Sequence, residues 1–208
     1  MTRPAGRLAL PAALGALALV ATLLLPSPAA AYDPNEVWTK GSWVWSLEGG
    51  YGAQFNLEGH RDPSDIEFFM VGARWSLLPL GISGPQSPLR GALELGLEPI
   101  YLHYTEPDDA YYAGLAAVGR YHFLDLGRFV PYVEAAAAAG GTNLRVKEID
   151  SDFAFLLVAG LGASVFVTDR HAVYAGYRLT HNSNGNTDSP NRGWEAHTAV
   201  VGISFFFK

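Results

Sequence analysis

The chain contains no cysteine. No disulfide can hold it together, and no thiolate is available as a nucleophile or a metal ligand. In an exported chain this absence also excludes a small disulfide-stapled scaffold. There is no run of basic residues, and the formal net charge is -6, so nothing points to a nucleic acid as partner. Beyond residue 31 there is no continuous apolar segment of the ~20 residues that a spanning helix needs.

What is present begins with a targeting pattern. Arg3 and Arg7 form a short positive region, and Leu8 to Leu25 is apolar apart from Pro11, Gly15 and Thr22. Small residues at Ala29 and Ala31 suit a signal peptidase, which would cut before Tyr32. The apolar run is nearly long enough for an uncleaved anchor, but the Ala-x-Ala site sits where a peptidase requires it. Residues 1–31 are therefore expected to be a signal peptide, and residues 32–208 one exported domain.

The remaining sequence is rich in glycine and in aromatic residues. It breaks into segments of about ten residues separated by turn chemistry, the spacing of membrane strands. Eight are expected: 42–54, 66–77, 89–102, 110–123, 130–141, 155–167, 172–183 and 194–207. The fold class is all-β, an eight-stranded antiparallel transmembrane β-barrel of the outer-membrane type, narrow enough for side chains to fill. Ala135 to Ala139 favour a helix by propensity. Pro131 before them and Gly140-Gly141 after them favour a strand. Trp43, Trp45, Trp75, Tyr101, Tyr104, Tyr111, Tyr112, Phe129, Tyr132 and Phe166 lie near strand ends, as interfacial girdles would. A soluble barrel with an aromatic core is the alternative. The closing run Val200 to Lys208, with Phe205, Phe206 and Phe207, resembles the last strand of bacterial outer-membrane proteins, displaced by Lys208.

With the first strand running outward, the outer connections are 58–65, 105–109, 145–152 and 184–192. Compact turns at 125–128 and 168–170 lie at the other end. There, a longer segment, 78–88, is expected to cover the barrel floor.

The densest polar stretch runs from Tyr177 to Glu195. His181 and Ser183 are two apart on the seventh strand and so share a face. A serine hydroxyl needs a neighbouring base, and that base needs a group to fix its tautomer. Glu195 opens the eighth strand, which returns beside the seventh. By side-chain alternation Val173, Ala175, Tyr177, Leu179, His181 and Ser183 face lipid, as does Glu195 with His197, while Arg178 faces the lumen. Polar groups on the lipid side are costly without a purpose. Decoration of the interfacial rim is the other account of them. His197 is read as an interfacial histidine, and His103 and His122 as strand-end residues. The acidic clusters Asp108-Asp109 and Asp150-Ser151-Asp152 are read as solvated loops, with divalent cations between headgroups as their other role.

The runs His181-Asn182-Ser183-Asn184, Pro190-Asn191-Arg192-Gly193 and Glu195 resemble the signature of the outer-membrane lipid A 3-O-deacylases of the PagL type. The segments Pro131 to Ala135 and Gly160 to Ala163 resemble that family in pattern only. The resemblance implies an eight-stranded barrel and hydrolysis of the ester at the 3 position of lipid A, releasing a 3-hydroxy fatty acid. It implies Ser183 as nucleophile, His181 as base and then acid, Glu195 as orienting carboxylate, and Asn184 and Asn191 in the oxyanion region. It implies no metal and no cofactor. The partners would be lipid A and outer-membrane lipids; monomer and homodimer both stay open.

Overall fold

The computed structural model describes residues 32–55, 62–84, 87 and 89–208. The expected signal peptide lies outside them, as do residues 56 and 57, residues 58–61 of the first outer connection, and 85, 86 and 88 of the expected floor segment. Eight long strands alternate along the described chain: β1 (Trp43–Phe55), β2 (Glu67–Leu77), β3 (Gly91–Glu106), β4 (Ala110–Phe123), β5 (Phe129–Thr142), β6 (Phe153–Phe166), β7 (His171–Ser183) and β8 (Trp194–Phe207). Each pairs antiparallel with the next. β8 then pairs with β1, from Trp43 opposite Phe207 to Phe55 opposite Glu195, and the sheet closes into a barrel. The run Ala135 to Ala139 lies within β5.

β3 extends past the expected end at Leu102. Its ladder with β2 shifts register between Glu67 and Phe68, so that Glu67 faces Glu106 while Phe68 faces Tyr104. This bulge absorbs Thr105 and lets pairing continue to Glu106. The same ladder is interrupted between Gly72–Ile100 and Trp75–Leu97. Pro99, which has no N–H to donate, lies in that gap.

Alternation along the strands sorts the side chains cleanly. Trp43, Trp45, Trp75, Tyr101, Tyr111 and Phe129 stand on the outer surface. Trp43 stacks on Trp75 at 5.0 Å near one rim, and Tyr101 lies parallel to Tyr111 at 6.4 Å near the other. Four residues expected in the girdles point inward instead: Tyr104, Tyr112, Tyr132 and Phe166 are buried. Proximity to a strand end does not decide the face; parity does. Tyr104 is an odd number of residues from Tyr101, and Tyr112 is next to Tyr111, so each takes the opposite side.

The lumen is filled, and its centre is ionic. Arg178 Nε donates to Glu134 Oε1 at 2.6 Å, its Nη2 donates to Glu48 Oε2 at 2.9 Å, and its Nη1 bonds Glu48 Oε1 as well. Arg120 donates to Glu134 at 2.7 Å and stacks over Tyr132 at 4.0 Å. Arg74 reaches Glu98 at 3.1 Å and Glu94 at 3.2 Å. His122, expected as a strand-end residue, is buried and bonded to Glu94 at 2.8 Å. These charges lie between two apolar layers. Ile66, Phe68, Tyr104, Leu144, Ile149 and Trp194 close the end near the β7–β8 connection.

The other end is closed by the segment before β1. Asp33 caps a one-turn helix, α1 (Pro34–Val37), its carboxylate accepting from the Asn35 N–H at 2.8 Å. The turn directs Trp38 into the barrel, against His122, Phe166 and Phe206. The segment 78–88 was expected to make this floor; its described part contributes Leu78 and the half-buried Ile82, and Val37 and Trp38 from the N-terminal side share the role.

Truncating Arg178 to Ala leaves Glu48 without its hydrogen-bonded guanidinium and Glu134 with Arg120 as its hydrogen-bonded cation. The loss of a buried partner is expected to lower unfolding stability by about 3–5 kcal/mol. Denaturant titration of the folded barrel in vesicles measures it, and an unchanged midpoint would show that the lumenal cluster does not support the fold.

Candidate active site

The β7–β8 hairpin sets His181 directly opposite Glu195. The pairing is completed by the side chains: His181 Nδ1 lies 2.9 Å from Glu195 Oε1. An ionised carboxylate can only accept. The contact therefore holds the imidazole proton on Nδ1 and leaves the Nε2 lone pair free. The His181 side chain is 38% exposed and that of Glu195 17%. The imidazole is reachable while the carboxylate beneath it is mostly covered.

Ser183 ends β7, opposite Phe155 of β6, and is half-buried. It shares the outward face with His181, about 7 Å further along the strand. Among the described residues no hydrogen bond joins its hydroxyl to His181. In unliganded sites such contacts are commonly long and tighten around substrate.

Below the His181–Glu195 pair an open groove of 240 Å³ runs along the outer surface. Its apolar side chains are Phe55, Leu157, Ala159 and Leu179, from four neighbouring strands when His181 and Glu195 are counted in. Phe55 enters only because β1 closes on β8, where it faces Glu195. The arrangement places a polar dyad at the head of an apolar furrow on the barrel's outside. His197 lies one same-face step deeper, opposite Leu179. Its ring stacks on Phe55 at 3.8 Å, and its Nδ1 bonds the Tyr177 hydroxyl. It props the groove wall and is not the partner of Glu195.

Asn184 and Asn191 are brought together, but with each other. The Asn184 N–H donates to Asn191 Oδ1 at 2.9 Å, and Asn184 Nδ2 donates to the Asp188 carbonyl at 3.1 Å. Asn191 Nδ2 donates to Asn186 Oδ1 at 2.9 Å. Asn184 is wholly buried. In this arrangement the pair folds the 184–191 connection over itself and holds its shape next to Ser183.

Gly193 has a φ of +70°, in the left-handed region that favours glycine. It also lies hard against the catalytic candidate: a Cβ there would stand 2.9 Å from His181 Cε1 and 3.5 Å from Nε2. The residue thus forms a close backstop for the ring edge that carries the free nitrogen. Sequence reading recognised Gly193 as part of a motif but not this contact. It also missed the groove-lining Phe55, Leu157 and Ala159, of which Phe55 falls just beyond the expected strand end.

The acidic loops show ordinary partners. Arg145 pairs with Asp150 at 2.8 Å and with Asp152, and His103 is 3.9 Å from Asp109. Among the described residues no group of three metal-ligating side chains assembles.

A family model described as lipid A 3-O-deacylase (PagL) matches residues 32–204. A crystal structure of the outer-membrane enzyme PagL is similar with a TM-score of 0.60 and 19% identity, covering 76% of this chain and 97% of that one. A crystal structure of Neisserial surface protein A is similar with a TM-score of 0.57 and 14% identity, covering 80% of this chain and 99% of that one. At these identities the structures speak for the fold. No curated protein is significantly similar in sequence.

Replacing Gly193 with Ala strains the left-handed backbone, at about 1–2 kcal/mol, and drives a methyl group against the Asn182 carbonyl and the His181 ring. The variant is expected to fold and to lose about a hundredfold in ester hydrolysis, the scale of a 1 Å misplacement. A rate equal to that of the wild type would mean that the ring position is not held by this contact.

Proposed function

The chain belongs to the lipid A 3-O-deacylase (PagL) family, and on that premise we propose that it cleaves the 3-O-linked acyl ester of lipid A from the outer leaflet of the outer membrane, with Ser183 as nucleophile. The observation that carries this reading is the His181–Glu195 contact at the head of a groove on the lipid side. A water-soluble ester would have no reason to meet a site there, whereas an acyl chain already in the bilayer lies alongside Leu157, Ala159 and Leu179.

The chemistry follows from the free nitrogen. His181 Nε2 takes the proton of Ser183 as its Oγ attacks the ester carbonyl carbon. Glu195 holds the ring and offsets the imidazolium charge. The tetrahedral intermediate collapses as His181 returns the proton to the departing sugar oxygen, leaving an acyl-serine. Water, activated by the same histidine, then releases the 3-hydroxy fatty acid and restores Ser183. The oxyanion needs fixed donors. The Asn184–Asn191 pair shapes the backbone that would supply them, and acts as positioning rather than through free side-chain amides. The residues named here supply every proton transfer that this sequence of steps requires.

The outer-leaflet assignment places the β7–β8 connection outside the cell and the Trp38 plug on the periplasmic side. Export is ascribed to residues 1–31. The Tyr32 hydroxyl accepts from Trp38 Nε1 at 2.6 Å and its ring meets Phe166 at 4.3 Å, so a chain beginning at Tyr32 has its first residue seated in the plug.

Mass spectrometry of lipid A from cells expressing the wild-type chain is expected to show loss of one 3-hydroxyacyl group. Cells expressing Ser183→Ala or His181→Ala at equal levels in the outer membrane are expected to show none. Full deacylation by Ser183→Ala would overturn the triad, and no change with the wild type would point to a barrel without enzymatic activity. Amino-terminal sequencing of the mature protein is expected to read Tyr-Asp-Pro-Asn-Glu; a start at Met1 would refute cleavage.

A further inference from the structure

Glu148 sits in the connection between β5 and β6, where the other charged residues, Arg145, Lys147, Asp150 and Asp152, are exposed, yet it is only 1% exposed itself. Its carboxylate gathers three donors. Ser64 N–H and Gln54 Nε2 donate to Oε1 at 3.1 and 3.3 Å, and Ser64 Oγ donates to Oε2 at 2.6 Å. Its main-chain carbonyl accepts from the N–H groups of Arg192 and Gly193, at 2.8 and 3.2 Å. The next residue, Ile149, bridges to Asn191 and is buried in the core cluster beneath. One residue thus ties the end of β1, the segment before β2 and the β5–β6 connection to the turn that ends in Gly193.

That turn is the one whose glycine abuts His181 Cε1 and Nε2. We propose that Glu148 is a positioning residue for catalysis: its buried carboxylate anchors the connection whose carbonyl seats Gly193 against His181, and so sets the orientation of Nε2 toward Ser183. The inference rests on the deacylase reading of His181 and Ser183. It is separate from that reading in substance, since Glu148 touches neither reacting group. A buried carboxylate held by three donors is fixed in place, because moving it breaks all three contacts at once. Rigidity of this kind is what a near-attack geometry requires.

The test uses the full mature barrel, purified and folded, acting on lipid A in mixed micelles. Glu148→Ala is expected to lower kcat by between about tenfold and a hundredfold, with KM changed by less than about twofold, because acyl-chain binding in the groove is untouched. Glu148→Gln is expected to recover most of kcat, since its amide oxygen still accepts from Ser64 and Gln54 and its NH2 group can donate to Ser64 Oγ. Lys147→Ala, which removes only the exposed pair with Asp62, is the control and is expected to match the wild type. Wild-type kcat in Glu148→Ala, a loss confined to KM, or failure of Gln to rescue would overturn the proposal. Should Glu148→Ala not fold, Ser64→Ala removes only the hydroxyl bond to Glu148 Oε2, a gentler change that is read by the same split of kcat against KM. An active Ser183→Ala would sink the deacylase reading itself; an inactive Ser183→Ala beside a fully active Glu148→Ala would sink only the role of Glu148.

Discussion

Everything in this molecule depends on the closing ladder between β1 and β8. A strand edge facing hydrocarbon would leave a row of N–H and C=O groups without partners, at several kcal/mol each. The chain avoids this by pairing its first strand with its last, from Trp43–Phe207 to Phe55–Glu195. Closure also makes the site. Phe55 is 140 residues from Glu195 in the chain and stands opposite it in the sheet. Without that pairing the groove below His181 would lack a wall, and His197 would lack the ring on which it stacks.

Closure in turn creates an interior that has to be filled. A narrow barrel has no room for a water column, and the side chains inside must satisfy one another. Glu48, Glu94, Glu98 and Glu134 meet Arg74, Arg120 and Arg178 in a network where each guanidinium has at least one carboxylate within 3.2 Å. Such a cluster is not a strong source of stability, because burying its members has already cost hydration. Its effect is specificity of register. Every member comes from a different place in the sheet, so slipping one strand by one residue would turn a charge out into lipid. The apolar layers at either end, around Trp38 and around Trp194, seal this network from water.

The outside carries the opposite logic. The His181–Glu195 pair is a polar unit on a surface that is otherwise made for lipid, and it is placed at the rim, where an ester linkage between a sugar and an acyl chain would lie. The β5–β6 connection, through Glu148, and the β7–β8 connection, through Asn184 and Asn191, fold against each other above it. A rigid barrel wall supplies all three proposed catalytic side chains, His181 and Ser183 from the end of β7 and Glu195 from the start of β8. The loops supply the backstop. This division keeps the reacting groups on the least mobile elements and leaves the loops to shape what approaches them.

Much of this was legible in the sequence. Turn spacing and alternation located eight strands, in several cases to within a residue or two, because the period of a half-buried strand is imposed by lipid on one side and a packed lumen on the other. The same alternation put His181 and Glu195 on one face, and a short hairpin left little freedom in their register. Other features were beyond it. Tyr104, Tyr112, Tyr132 and Phe166 were read as girdle residues because closeness to a strand end is visible in the sequence, whereas the inward turn of each depends on the register of whole strands. His122 and the lumenal carboxylates look like isolated polar residues until six strands bring them and their arginines to one place. Glu148 looks like one more loop acid. The sequence by itself determined which residues alternate and which neighbours along the chain can pair. Only the tertiary structure decided which distant residues meet, because contacts such as Phe55 with Glu195 and Glu148 with Gly193 are set by closure of the barrel and the folding of loops across its mouth, and neither leaves a periodic trace in the chain.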